Sequence, residues 1–315
     1  MVLAACGSSG GALDANDAPE AATITPATPG TPPTTDPPAS ATDPTSSSTP
    51  VSTTDPTSSS TAVDTTDSTS SSTTVANTES LTSAEVAGAD LVGRWAHYDV
   101  VAYEDDAIKT LIVSYGFNDL SVTDGELVDQ GSFCFSEQRT DQPIDTSLSD
   151  AATQAIRPPP TPLDVTTDGT ITIRRPATPT PVGIHLDDPA NEPLPTDPND
   201  PRIVDDDDDG NPGITVTVEV TTELVGELYI ARREIFAYEA TLTAPDRLEG
   251  TVTDDSEQLV IGASDPIFLT ESDWRQHPDP AKSPIILIRV DDTWDCERLA
   301  AERNALFPPT PDVDW

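Results

Sequence analysis

The sequence predicts a mainly β protein: an antiparallel barrel or sandwich with one C-terminal helix, preceded by a long disordered N-terminal stalk. Three observations carry this reading. Up to Glu85 there is no Lys, no Arg and no aromatic side chain, whereas all 15 basic residues and all aromatics (Trp 4, Tyr 5, Phe 6) follow. Beyond Asp90, short apolar runs alternate with turn residues, the pattern of antiparallel strands. Near the end, Thr293 or Asp295 can cap a segment running to about Leu306, which Pro308-Pro309 then stops.

The front segment cannot build a core or offset the entropy of ordering its backbone, so residues 7–85 are expected to be a disordered Ser/Thr/Pro-rich linker. Residues 42–77 repeat with period 12: Thr42-Asp43-Pro44, Thr54-Asp55-Pro56 and Thr66-Asp67-Ser68 each precede Thr-Ser-Ser-Ser-Thr. Each unit offers one Val (Val51, Val63, Val75), too little for a stacking repeat. It reads as a spacer open to O-glycosylation, with an r.m.s. span on the order of 50 Å for ~80 residues.

Ahead of it the chain opens Met1-Val2-Leu3-Ala4-Ala5-Cys6, then Gly7-Ser8-Ser9-Gly10. Leu3-Ala4-Ala5-Cys6 resembles the bacterial lipobox position for position. The resemblance implies that residues 1–6 end a signal peptide, that cleavage falls before Cys6, and that Cys6 carries the lipid. A complete leader has a charged n-region and an apolar h-region of about 7–15 residues, so the start is expected to be truncated. No run of 18 apolar residues occurs, and the chain is expected on the extracytoplasmic face of the cell membrane, anchored to it rather than spanning it.

The net charge of −41 divides into ten acidic residues and no basic ones up to Glu85, then 46 acidic against 15 basic. Such a polyanion repels nucleic acid and anionic headgroups, which excludes nucleic-acid partners and favours cations.

Residues 86–315 are expected to form one β-rich globular domain with a Pro/Asp-rich insertion at about 176–213. Strands are expected over 91–103, 108–115, 126–136, 170–174, 214–220, 227–232, 234–243, 247–253, 258–262 and 285–290. Ile214, Val216, Val218 and Val220 alternate with polar residues most cleanly. Asp124-Gly125 and Asp168-Gly169 supply tight hairpin turns. In the final helix Cys296, Leu299, Ala300 and Phe307 fall near one face. With Cys6 assigned to lipid, Cys134 and Cys296 remain, and two cysteines in an exported domain are expected to pair, pinning helix to sheet; two buried free thiols are the alternative.

Gly93-Arg94-Trp95, at the start of the first strand, is similar to the Gly-x-Trp opening of lipocalins. A helix after the strands and a disulfide from the C-terminal region to the sheet also look like that family of calycin β-barrels. The resemblance implies a small apolar ligand inside the barrel.

Asp205, Asp207 and Asp209 followed by Gly210 reproduce the Asp-x-Asp-x-Asp-Gly core of calcium loops, in which alternate carboxylates converge on a hard cation. The twelfth position is Val216, so a bidentate ligand for Ca²⁺ has to come from Asp187, Asp188, Asp197 or Asp200. A solvated acidic loop is the other reading. Gly7-x-Ser9-x-Gly11 lies where no nucleophile elbow can form, and His97, His185 and His277 lack metal-ligand spacing. No catalytic residue is assigned. The expected function is that of a lipid-anchored cell-envelope protein with a non-enzymatic ligand-binding or structural β domain, its partner a small apolar ligand or another envelope component. The alternative is a secreted hydrolase using carboxylates or Ca²⁺, which several acidic and Arg side chains pointing into one cleft would favour.

Overall fold

The computed structural model describes residues 83–105, 108–269 and 274–315. Cys6 and the twelve-residue repeats lie outside the described residues. Helix α1 (Ser83–Leu91) leads into β1 (Gly93–Glu104). This corrects two expectations, a linker to residue 85 and a strand from Leu91. The physical reason is burial and capping: Ala87 and Leu91 pack into the core, and the Trp95 indole N–H donates to Leu91 O at 2.9 Å. From the other side Arg289 lays its guanidinium 4.3 Å from the Trp95 ring centroid and donates to Val92 O (2.7 Å) and Asp90 O (2.8 Å).

β1 forms an antiparallel meander with β2 (Lys109–Thr123) and β3 (Glu126–Thr140). Asp124 and Gly125 both take positive φ (53° and 87°), the two-residue turn that matches the twist of paired strands. β4 (Asp145–Leu148), α2 (Asp150–Gln154), β5 (Thr161–Pro162) and β6 (Asp164–Thr166) are short. Then come β7 (Thr172–Val182), β8 (Ile214–Thr221), β9 (Leu224–Ala244), β10 (Arg247–Asp254), β11 (Glu257–Ala263), β12 (Arg275–Gln276) and β13 (Pro284–Val290), with α3 (Cys296–Leu306) last. The strands make one antiparallel sheet of 13, a curled half-barrel in which β13 joins β1 to β10.

β9 replaces the two strands expected on either side of Arg233. Its first half pairs β8 and β11, its second half β7 and β10. The charged run Arg232-Arg233-Glu234 does not break it, because the side chains leave on opposite faces and each finds partners. Arg232 pairs Glu234 on the concave side, whereas Arg233 donates to Pro189 O, Glu192 O and Glu257.

The sheet buries both faces. Trp95, Val101, Tyr103, Leu120, Leu228, Leu248 and Leu287 belong to the concave core; Tyr98, Val100, Leu111, Val113, Tyr115 and Cys134 belong to the convex one. α3 and its flanks cover the second with Trp294, Leu299 and Phe307, which is why β1 is buried at every position from Trp95 to Tyr103. Asp295 caps α3 by accepting from Arg298 N at 2.8 Å. The Cys134–Cys296 disulfide is formed, with Cα atoms 5.3 Å apart. Ala300, expected on the buried face of α3, is exposed; the disulfide and Leu299 set the helix rotation instead.

The insertion starts later than residue 176, because β7 continues to Val182. Pro176 sits in a register shift, and Pro179 and Pro181 lie where the strand pairs β9 alone, so the missing N–H groups cost no ladder bonds. Residues 183–213 then dock on a small core of Ile184, Leu186 and Ala231.

Candidate functional site

The period-two alternation that builds the half-barrel aims Val101 and Tyr103 of β1, Ile112 of β2, Phe133 of β3, Val216 of β8, and Leu228, Ile230 and Phe236 of β9 into one cavity. The non-atom space among these side chains, open solvent at the mouth counted in, comes to about 840 Å³. The lining is overwhelmingly aliphatic and aromatic. Asp99, Arg232 and Glu234 are its only charged members among the described residues.

Below the cavity runs a belt of buried polar groups. Asn118 donates both ways of its amide N–H to Asp129, 2.9 Å to each carboxylate oxygen, and Tyr238 OH donates to Asp129 Oδ2 at 3.0 Å. Arg175 Nε stands 3.4 Å from the same oxygen, while its other nitrogens donate to Phe236 O (2.9 Å) and Thr161 Oγ1 (3.3 Å). With its amide nitrogen committed, Asn118 presents Oδ1 to His97 Nδ1 at 2.9 Å, so Nδ1 carries the hydrogen. Burial holds His97 down to about 4, against the Asn118 bond, and the ring is neutral with a bare Nε2.

That Nε2 faces Asp99 Oδ1 at 3.6 Å, and neither atom has a hydrogen-bond partner. Burial pushes the Asp99 carboxyl well up, helped by Glu234 and Asp254. Glu234 is likewise raised by burial, with Arg232 opposing. Arg232 ion-pairs Glu234, stands 3.8 Å from Asp254 and donates to Tyr103 OH at 3.3 Å. Tyr103 in turn stacks on Trp274, centroids 5.1 Å apart.

The acidic loop is a separate site. Asp205, Asp207 and Asp209 each bring one oxygen to within 4.8 Å of the others. Gly210 (φ 90°) and Asp208 (φ 57°) make the sharp turn, and Asp205 accepts from Gly210 N at 2.9 Å. Asp207 is only 8 % exposed; its Oδ2 accepts from Thr215 N at 3.0 Å while Oδ1 has no partner. The structure does not bring in the expected fourth carboxylate: Asp187 stands by His185 (3.3 Å), Asp188 holds Asn191, Asp197 holds Asn199 and Asp200 holds Arg202. Local pairing within the insertion wins over convergence on the loop. His277, 3.8 Å from Glu104, is likewise remote from His97.

Sequence reasoning set His97 aside for lack of metal-ligand spacing and passed over Asp99, Asn118, Asp129, Arg175, Arg232, Glu234 and Tyr238. The signal was register: in β1, inward positions run Trp95, His97, Asp99, Val101, Tyr103, so two polar residues occupy the apolar face. Compared with protein-family models, with curated proteins and with solved structures, this chain matches none.

Proposed function

We propose that the domain binds a small, largely apolar molecule inside the half-barrel and is held at the extracytoplasmic membrane face by lipid on Cys6. The observation that carries the binding is the cavity itself, apolar in its walls and interrupted by a few inward polar groups, the composition of small-molecule sites. The Gly93-Arg94-Trp95 resemblance supports the same reading. The anchor is supported by Leu3-Ala4-Ala5-Cys6 and by the spacer composition after it. Native mass spectrometry of the full chain, purified gently from its source, tests both. It should show a small-molecule adduct that Ser114→Phe, which fills the cavity, removes, and an acyl mass that Cys6→Ser removes. A chain that carries no adduct and takes up no apolar fluorescent dye would end the binding reading.

A hydrolase is the second reading, because Asp99, Glu234 and Arg232 do enter one cleft. Binding is favoured over it on one ground: Glu234 is committed to Arg232, and Asp99 hydrogen-bonds no hydroxyl or thiol that it could activate. Turnover of ester or glycoside substrates, lost in Asp99→Asn, would reverse that preference.

Ca²⁺ at Asp205, Asp207 and Asp209 belongs to the proposal as a structural cation, supported by the alternate spacing and by the unpartnered, buried Asp207 Oδ1. Terbium luminescence sensitised by protein aromatics, displaced by calcium and lost in Asp207→Asn, is the expected result; no luminescence in the full chain would exclude it.

A further inference from the structure

We propose that the molecule taken into the cavity is an apolar amine, its ammonium seated on Asp99 and its hydrocarbon part between the aliphatic walls. This rests on the binding reading above and adds the ligand's class.

The case is a count of charges and donors. Asp99 is 2 % exposed and lines the cavity, yet Oδ1 accepts no hydrogen bond. Its polar neighbour His97 cannot supply one, because the His97 proton sits on Nδ1 and is given to Asn118. On the cavity side, Glu234 and Asp254 already share the guanidinium of Arg232. Arg232 is thus spent on Glu234 and Asp254, and Arg175 on Asp129, which leaves the charge of Asp99 in excess, with Tyr103 and His97 the other titratable groups nearby. In a dry site such an excess is met by protonation or by a bound cation. An alkylammonium, charged at pH 7 as a lysine is, brings three donors and the missing positive charge together. Phe133 and Phe236 line the same space. A carboxylate head would add a fourth negative charge, and an alcohol supplies one donor and no charge. In the empty cavity burial, Glu234 and Asp254 all favour a proton on the Asp99 carboxyl. Seating an ammonium therefore expels that proton, and binding is linked to pH.

The test is calorimetric titration of the full chain with decylamine, decanol and decanoate, and with methylamine to control for attraction of any cation to a chain of charge −41. Decylamine should bind about tenfold or more tighter than decanol, the worth of one charge-assisted hydrogen bond. Decanoate and methylamine should bind more weakly than decanol. Titrations in two buffers of different ionisation enthalpy should show proton release on decylamine binding. Asp99→Asn should abolish that release and bring decylamine to the affinity of decanol, with decanol unchanged. Decanol, decanoate or methylamine binding as tightly as decylamine, or an undiminished decylamine affinity in Asp99→Asn, overturns the amine while leaving the cavity reading intact. If none of the ten-carbon ligands binds, the cavity reading itself falls. The comparison of ligands on wild type decides the matter even if the variant does not fold.

Discussion

Arg175→Met isolates the electrostatics of the polar belt. Arg175 is 2 % exposed and Asp129 is fully buried, and the substitution keeps most of the side-chain volume while deleting the cation. Asp129 would retain three donated hydrogen bonds, two from Asn118 and one from Tyr238, but no counter-charge. Breaking a buried pair in this way costs about 3–5 kcal/mol, because the remaining charge has been desolvated without compensation. For a domain of ~230 residues each kcal/mol moves the melting temperature by about 2–4 °C, so a fall of roughly 6–20 °C is expected by circular dichroism. The sign with pH follows from linkage. Burial already pushes the Asp129 carboxyl up, and losing Arg175 pushes it further, whereas the unfolded chain titrates near its ordinary value. Between the wild-type and variant folded values the folded variant binds more protons than folded wild type, so its deficit relative to wild type shrinks on acidification. The double variant Asp129→Leu/Arg175→Met should be more stable than Arg175→Met alone. A single variant within about 1 kcal/mol of wild type at pH 7, or a deficit that grows on acidification, refutes the reasoning.

Three further outcomes can be measured in the same way. His97 is neutral in the fold to about pH 4 against an ordinary 6.5, so the unfolded chain binds the extra proton in that window. Wild type should therefore lose on the order of 3 kcal/mol relative to His97→Gln as pH falls through it, and a flat difference contradicts the assignment. Cys134→Ser/Cys296→Ser opens a cross-link spanning 162 residues. Loop entropy sets its worth at up to about 5 kcal/mol, and a loss below about 1 kcal/mol in urea would show that the reduced chain is already constrained. Gly250→Ala would place a Cβ 1.7 Å from Glu239 O and 2.6 Å from Ala240 Cα, between strands that cannot part. It should cost more than about 3 kcal/mol, and an unchanged melting curve would mean that β10 shifts freely.

The sheet was legible wherever one face is apolar. Ile214, Val216 and Val218 announce β8, Asp124-Gly125 announces the turn after β2, and the lone pair of domain cysteines announces the disulfide. β9 was not, since a run of Arg-Arg-Glu on a strand reads as a break until its partners are known, and those lie 41 and 24 residues away at Glu192 and Glu257. α1 hid behind an Ala/Gly-rich stretch whose helicity is settled by Arg289 and Trp95. The cavity residues escaped for a related reason. An inward-facing carboxylate such as Asp99 is one acid among the 46 beyond Glu85 and becomes distinctive only when register and burial are known. The calcium-type loop was legible in its turn and its three aspartates, and misjudged in its fourth ligand, which is a matter of how the insertion pairs with itself.

The seam between β1 and β13 joins Arg94 to Val290, and the cross-link beyond it needs Cys296. A ribosome that has not yet reached Pro284 therefore holds a sheet that cannot yet be latched. Any product that stops short of residue 284 leaves Trp95 without the Arg289 that covers it and offers β1 as a bare hydrogen-bonding edge, a ready target for proteolysis and for pairing with its own siblings. Quality control is thus written into the order of synthesis: the last strand made is the one that validates all the others.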